Sequence, residues 1–137
     1  MMNDNIDYVI NANSLSLGFE YHYCIGGYIT FAVIIKISDF SGRGIFWLDL
    51  DTFKIHADTL ACANFSPTQA YLIQNGDSDD FISLQIETNG VLVISGELGE
   101  IPRETVLKFS TQVDTALPSR IASVFREYIA ISNFPEL

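Results

Sequence analysis

Residues 14–25 alternate polar and apolar side chains at every position, which is the period of a β-strand with one buried face. We predict a strand whose inward side chains are Leu15, Leu17, Phe19, Tyr21, Tyr23 and Ile25. Gly26 and Gly27 supply the positive φ angles of a tight reversal, so residues 28–39 should return as the second strand of a hairpin. Two long paired strands commit the first part of the chain to an antiparallel sheet.

The segment "SDFSGRGIFWLDLDTF" follows this hairpin. Ser41-Gly42 predicts a turn, and "GIFWLDL" predicts a third strand with apolar residues on both sides, so that both faces are covered and Trp47 lies in the core. Gly42-x-Gly44 lacks the third glycine of a dinucleotide-binding loop. Asp49 or Asp51 is the N-cap of a helix over about residues 51–63, because Phe53, Ala57, Leu60 and Ala61 recur at helical spacing.

The second half of the chain continues with strands "QAYLI", "FISLQIE" and "VLVISGEL". A three-residue loop with Gly90 in a left-handed bulge pairs Ile86 with Leu92, and this register unites the apolar residues on one face. A strand over about 104–113 follows. The segment "DTALPSRIASVFREYIAI" has the apolar spacing of a C-terminal helix.

This order predicts an α+β fold: an antiparallel β-meander of about seven strands, with one helix inserted after strand 3 and a C-terminal helix packed on the sheet. The 137 residues fit a single domain over 1–137, in which residues 1–12 form a loosely ordered N-terminal segment.

Composition excludes several classes of protein. The 48% apolar residues exclude disorder, and the absence of a signal peptide or a membrane-spanning stretch predicts a cytoplasmic protein with no membrane partner. The net charge of −10 repels phosphate, so we expect no nucleic-acid partner.

The residues that carry chemistry do not form a known catalytic or metal-binding pattern. His22 with Cys24 and His56 with Cys62 lack the spacing of a zinc finger or ribbon. No nucleophile elbow is present. We therefore predict no enzymatic activity, no metal and no cofactor.

Acidic residues are concentrated between positions 55 and 102, where Lys and Arg do not occur. This region favours either a solvated surface or the steering of a basic protein partner. The candidate partner-binding residues are Asp77, Asp79, Asp80, Glu97 and Glu100.

Three segments, "DFSGRGIFWLDLDTFKIHADTL", "LQIETNGVLVISGEL" and "VDTALP" before the last helix, resemble the small bacterial WapI-family immunity proteins. The resemblance implies a non-enzymatic protein that binds and neutralises a cognate toxin domain, a basic one by charge complementarity. The alternative is an oligomeric accessory module without a toxin partner, which predicts a homodimer.

Overall fold

The computed structural model describes residues 5–62, 70–99 and 106–132. In this part of the chain, four strands and a helix are followed by four more strands and a second helix. The strands are β1 (Asp7–Asn11), β2 (Leu15–Ile25), β3 (Tyr28–Ile37), β4 (Phe40–Asp49), β5 (Tyr71–Gln74), β6 (Phe81–Ile86), β7 (Leu92–Gly99) and β8 (Val106–Val113). The helices are α1 (Leu50–Cys62) and α2 (Leu117–Ser132).

The α+β fold with antiparallel strands and two helices is confirmed, but the strands form two sheets of four rather than one meander of about seven. The orders are β1-β2-β3-β4 and β5-β6-β7-β8. The inserted helix follows strand 4 because residues 7–11, predicted to be loosely ordered, form β1 and pair with β2. The Tyr128 hydroxyl of α2 donates a 2.7 Å hydrogen bond to Asp7, which attaches this strand to the helix layer.

Two of the three predicted turns are confirmed. Gly26 and Gly27 have φ angles of 63° and 82° between β2 and β3. Gly90 has a φ of 84°, and Ile86 pairs with Leu92 as the bulged loop requires. The turn predicted at Ser41-Gly42 is wrong, because the chain reverses at Ser38-Asp39, where Ser38 has a φ of 52°, and Ser41 and Gly42 pair with β3 inside β4. The strand predicted over about 104–113 begins at Val106 among the described residues, and positions 104 and 105 lie outside them.

The inner face of the first sheet packs against both helices through aromatic rings. Phe125 of α2 lies 5.3 Å from Phe19 and 5.7 Å from Phe31, measured between ring centroids. It also stacks on Phe53 of α1 at 4.3 Å. Since aromatic side chains bury the largest apolar area, this cluster contributes much of the stability of the core.

Helix α1 begins directly after β4 because Asp49 caps it. The Asp49 carboxylate accepts hydrogen bonds from the Thr52 N–H at 2.9 Å and the Thr52 hydroxyl at 2.7 Å, and these bonds lower the pKa of Asp49. The predicted cap is confirmed, and the helix starts at Leu50. Neither of the described helices combines the length and apolarity needed to cross a membrane.

Candidate functional site

The outer face of the first sheet, opposite the helices, carries exposed aromatic side chains. Strand pairing places Tyr23 of β2 opposite Thr30 of β3, and Thr30 opposite Trp47 of β4. Tyr28 lies two residues from Thr30 on the same face. Tyr23 is 51% exposed, Tyr28 39% and Trp47 40%. We call Tyr23, Tyr28, Trp47 and the Thr30 between them the aromatic platform.

The rings of Tyr28 and Trp47 stack on each other. Their centroids are 4.2 Å apart and their planes differ by 10°. Because Trp47 is exposed on the outer face, the prediction that it lies in the core is wrong. Ile45, on the same side of β4, is also 40% exposed, so the outer face of this strand is not covered.

A β-bulge creates the part of the platform on β2. The register shifts between Tyr21 and Tyr23, so His22 is the extra residue and the alternation changes sides after it. Tyr23 and Ile25, predicted to point inward, therefore turn outward, and Ile25 is 68% exposed.

Thr30 lies between Tyr23 and Trp47 and is only 5% exposed. Its hydroxyl has no hydrogen-bond partner within the described ranges. Since buried polar groups are almost always paired, this hydroxyl is an exception, and it is buried between the platform residues rather than open to solvent.

The edge of β4 is held by the loop between β5 and β6. The Asn75 Oδ1 accepts a hydrogen bond from the Trp47 N–H at 2.9 Å, and the Asn75 Nδ2 donates to the Ile45 carbonyl at 2.8 Å. The Gly76 N–H donates to the Trp47 carbonyl at 3.1 Å. The backbone below the Trp47 ring is therefore attached to the second sheet.

Positive charge lies on the same outer face, further along the strands. Arg43 is four residues from Trp47, a separation of about 14 Å along an antiparallel strand. Lys36 lies on the outer face of β3 beyond it and is exposed. Glu20 accepts a 3.3 Å hydrogen bond from Arg43 and lies 3.1 Å from the His22 Nε2. The face thus combines stacking rings at one end with cations at the other.

The predicted acidic residues lie elsewhere and in different environments. Asp77 and Asp79 are exposed in the β5–β6 loop. Asp80 is 1% exposed, and its carboxylate accepts hydrogen bonds from the Gly99 N–H at 3.2 and 3.3 Å, so it contributes no open surface. Glu97 is partly buried opposite Lys108, and Glu100 lies outside the described residues. A partner contact through these acids stays a prediction.

Within the described ranges, no three His, Cys, Asp or Glu side chains lie close enough to hold a metal ion. The platform residues were missed in the sequence because an aromatic residue within an apolar strand is typical of a core. The visible signal was the concentration of aromatic residues on both sides of the Gly26-Gly27 turn.

No protein-family model matches this chain, and no curated protein gives a significant match. Solved structures of plant proteins share its fold. The crystal structure of WHY3 from Arabidopsis thaliana superposes with a TM-score of 0.54 at 9% identity, covering 96% of this chain and 90% of WHY3. The structure of the plant transcriptional regulator PBF-2 superposes with a TM-score of 0.53 at 9% identity, covering 96% of this chain and 84% of the PBF-2 chain. At this identity the likeness shows a common fold.

This comparison contradicts the hypothesis of a toxin-neutralising immunity protein, because the fold is that of WHY3 and of a transcriptional regulator. It likewise contradicts the expectation of no nucleic-acid partner. That expectation used the net charge of the whole chain, which does not describe the charge of a single face. The resemblance to the WapI family itself stays a prediction.

Proposed function

We propose that this chain binds single-stranded nucleic acid on the outer face of its first sheet. The observation that carries the proposal is the aromatic platform on a four-stranded antiparallel sheet whose other face is covered by helices. Exposed aromatic rings on such a sheet stack unpaired bases, and every base offers a π-face.

The arrangement suits a single strand better than a duplex. In a duplex the faces of the bases are stacked on one another, and only base edges are open in the grooves. A broad sheet with two cations, Lys36 and Arg43, offers rings to unstacked bases and few contacts to phosphates. Stacking therefore supplies the main attraction.

The likeness to PBF-2, which is a plant transcriptional regulator, supports the same proposal at the level of the fold. A role in regulating transcription is the biological context in which we place the binding.

The test is the affinity for a labelled oligodeoxythymidylate of about 12 nucleotides, measured by fluorescence anisotropy at low salt. Replacing Trp47 by Ala should weaken binding by about fivefold or more, because a base–aromatic stack is worth about 1–3 kcal/mol. The matched control is Phe40→Ala, since Phe40 is 69% exposed on β4 but lies outside the platform.

We expect Phe40→Ala to bind within about twofold of the unaltered protein, and duplex DNA of the same length to compete poorly. Failure of the unaltered protein to bind the oligonucleotide, or equal affinities for the two variants, would contradict the proposed function.

A further inference from the structure

The side chain of Asn75 imitates the backbone of a neighbouring strand. β4 is an edge strand of the first sheet, so its N–H and C=O groups that point away from β3 have no partner strand among the described residues. The Asn75 amide has both donor and acceptor atoms: its Nδ2 donates to the Ile45 carbonyl at 2.8 Å, and its Oδ1 accepts from the Trp47 N–H at 2.9 Å. It therefore occupies the place of one peptide unit of a fifth strand.

Asn75 is itself held in place by its own loop. The Asp77 N–H donates to its Oδ1 at 3.1 Å, and its Nδ2 donates to the Ser78 hydroxyl at 2.9 Å. Asn75 is 5% exposed. With four hydrogen bonds in a water-poor place, its amide has one orientation.

Gly76 shows how close this loop comes to β4. A Cβ built at Gly76 would lie 2.6 Å from the Trp47 carbonyl oxygen, which belongs to rigid backbone. The loop thus lies directly against the residue whose ring forms the platform.

We infer that Asn75 is a positioning residue: by pairing with the edge of β4, it holds Trp47 in the orientation that stacks on Tyr28 and on a bound base. The ligand named here rests on the proposed function. An edge strand pinned at Ile45 and Trp47 loses little freedom on binding, so the preorganised ring binds a base more tightly than a mobile one.

The experiment compares Asn75→Ala and Asn75→Asp with Asn89→Ala. Asn89 is a matched control because its Oδ1 also accepts a hydrogen bond from the N–H two residues later, at 3.1 Å, in the loop between β6 and β7. Trp47 is the only tryptophan of the chain, so its emission and its quenching by acrylamide report its surroundings without a ligand.

Both Asn75 variants should change Trp47 quenching and weaken binding of the oligodeoxythymidylate by about fivefold or more. Asn89→Ala should leave both within about twofold. In Asn75→Asp the carboxylate still accepts from the Trp47 N–H but cannot donate to Ile45. Its affinity relative to that of the unaltered protein should recover as the pH falls, because a protonated carboxyl is again a donor.

Folded Asn75 variants with unchanged quenching and affinity would overturn the inference. If Asn75→Ala does not fold, Asn75→Asp decides, and if neither folds, Asn75 is a stability residue and the inference fails. A wild-type protein that binds no oligonucleotide contradicts the proposed function alone, because Trp47 quenching still tests the positioning by Asn75.

Discussion

Gly42 and Gly44 of β4 allow the second sheet to approach the first. A Cβ on Gly42 would lie 2.6 and 2.8 Å from the Cδ2 and Cβ of Leu107, and one on Gly44 would lie 2.6 Å from the Asp80 carboxylate. Real Cβ atoms do not approach other atoms this closely. The glycines are therefore required by close packing between the sheets, not by a phosphate ligand.

Replacing Gly42 by Ala should lower the free energy of unfolding by about 1–3 kcal/mol, because the new methyl overpacks against Leu107. In a Leu107→Ala background the new methyl group has space, so Gly42→Ala should lower the free energy of unfolding much less. Urea unfolding of the four proteins in this double-mutant cycle measures the difference. Equal costs in both backgrounds would show that Leu107 is not the residue that excludes a side chain at position 42.

At the scale of elements, α1 is joined to β5 by a partly buried polar pair. His56 is 8% exposed, and its Nδ1 is hydrogen-bonded to the Tyr71 hydroxyl. Burial lowers the pKa of His56, and the charge of Asp49 opposes this only in part. Burial also raises the pKa of Tyr71. Both groups are thus neutral in the folded protein at neutral pH.

The lowered pKa of His56 predicts how stability depends on pH. The unfolded chain takes up the His56 proton below about pH 6.5, whereas the folded protein resists it. Neutral His56 therefore contributes to the free energy of unfolding above that pH. This contribution is lost as the pH falls, by up to about 1.4 kcal/mol per pH unit.

His56→Gln should remove this part of the pH dependence, because glutamine does not titrate. Urea unfolding at several pH values, with the variant compared to the unaltered protein, cancels the titration of the common carboxylates. If the free energy of unfolding depends on pH in the same way in the unaltered protein and in His56→Gln, the pH dependence does not come from His56.

At the scale of the whole molecule, the net charge of −10 and the balanced outer face of the first sheet have different consequences. The total charge makes long-range attraction of nucleic acid weak. On the face itself, Lys36 and Arg43 oppose Glu20, while Asp49 is engaged at the start of α1. The proposed binding therefore depends on short-range stacking.

A shallow salt dependence follows from this balance. Two cations that contact phosphates of a single strand give a slope of log K against log[salt] no steeper than about −1.4. Raising salt from about 50 to 200 mM should weaken binding by no more than about sevenfold. Anisotropy titrations with the oligodeoxythymidylate measure the slope. A slope of about −3 or steeper would require more phosphate contacts than this face provides.

Local periodicity determined much of this fold before any long-range contact was considered. The alternation of residues 14–25, the glycines at 26, 27 and 90, and the carboxylate of Asp49 predicted two hairpins and a helix start, all of which are observed. These features follow from side-chain period, allowed φ angles and capping, which depend on neighbours in the chain.

Only the tertiary structure decided which faces stay open. The bulge at His22 turned Tyr23 outward, and no helix or strand in the described part of the chain covers Trp47 on the outer face. The Asn75 amide reaches Trp47 across 28 positions of sequence, so no local pattern could show the pair. Burial depends on what the rest of the chain places against a face, and that is set by the packing of whole elements.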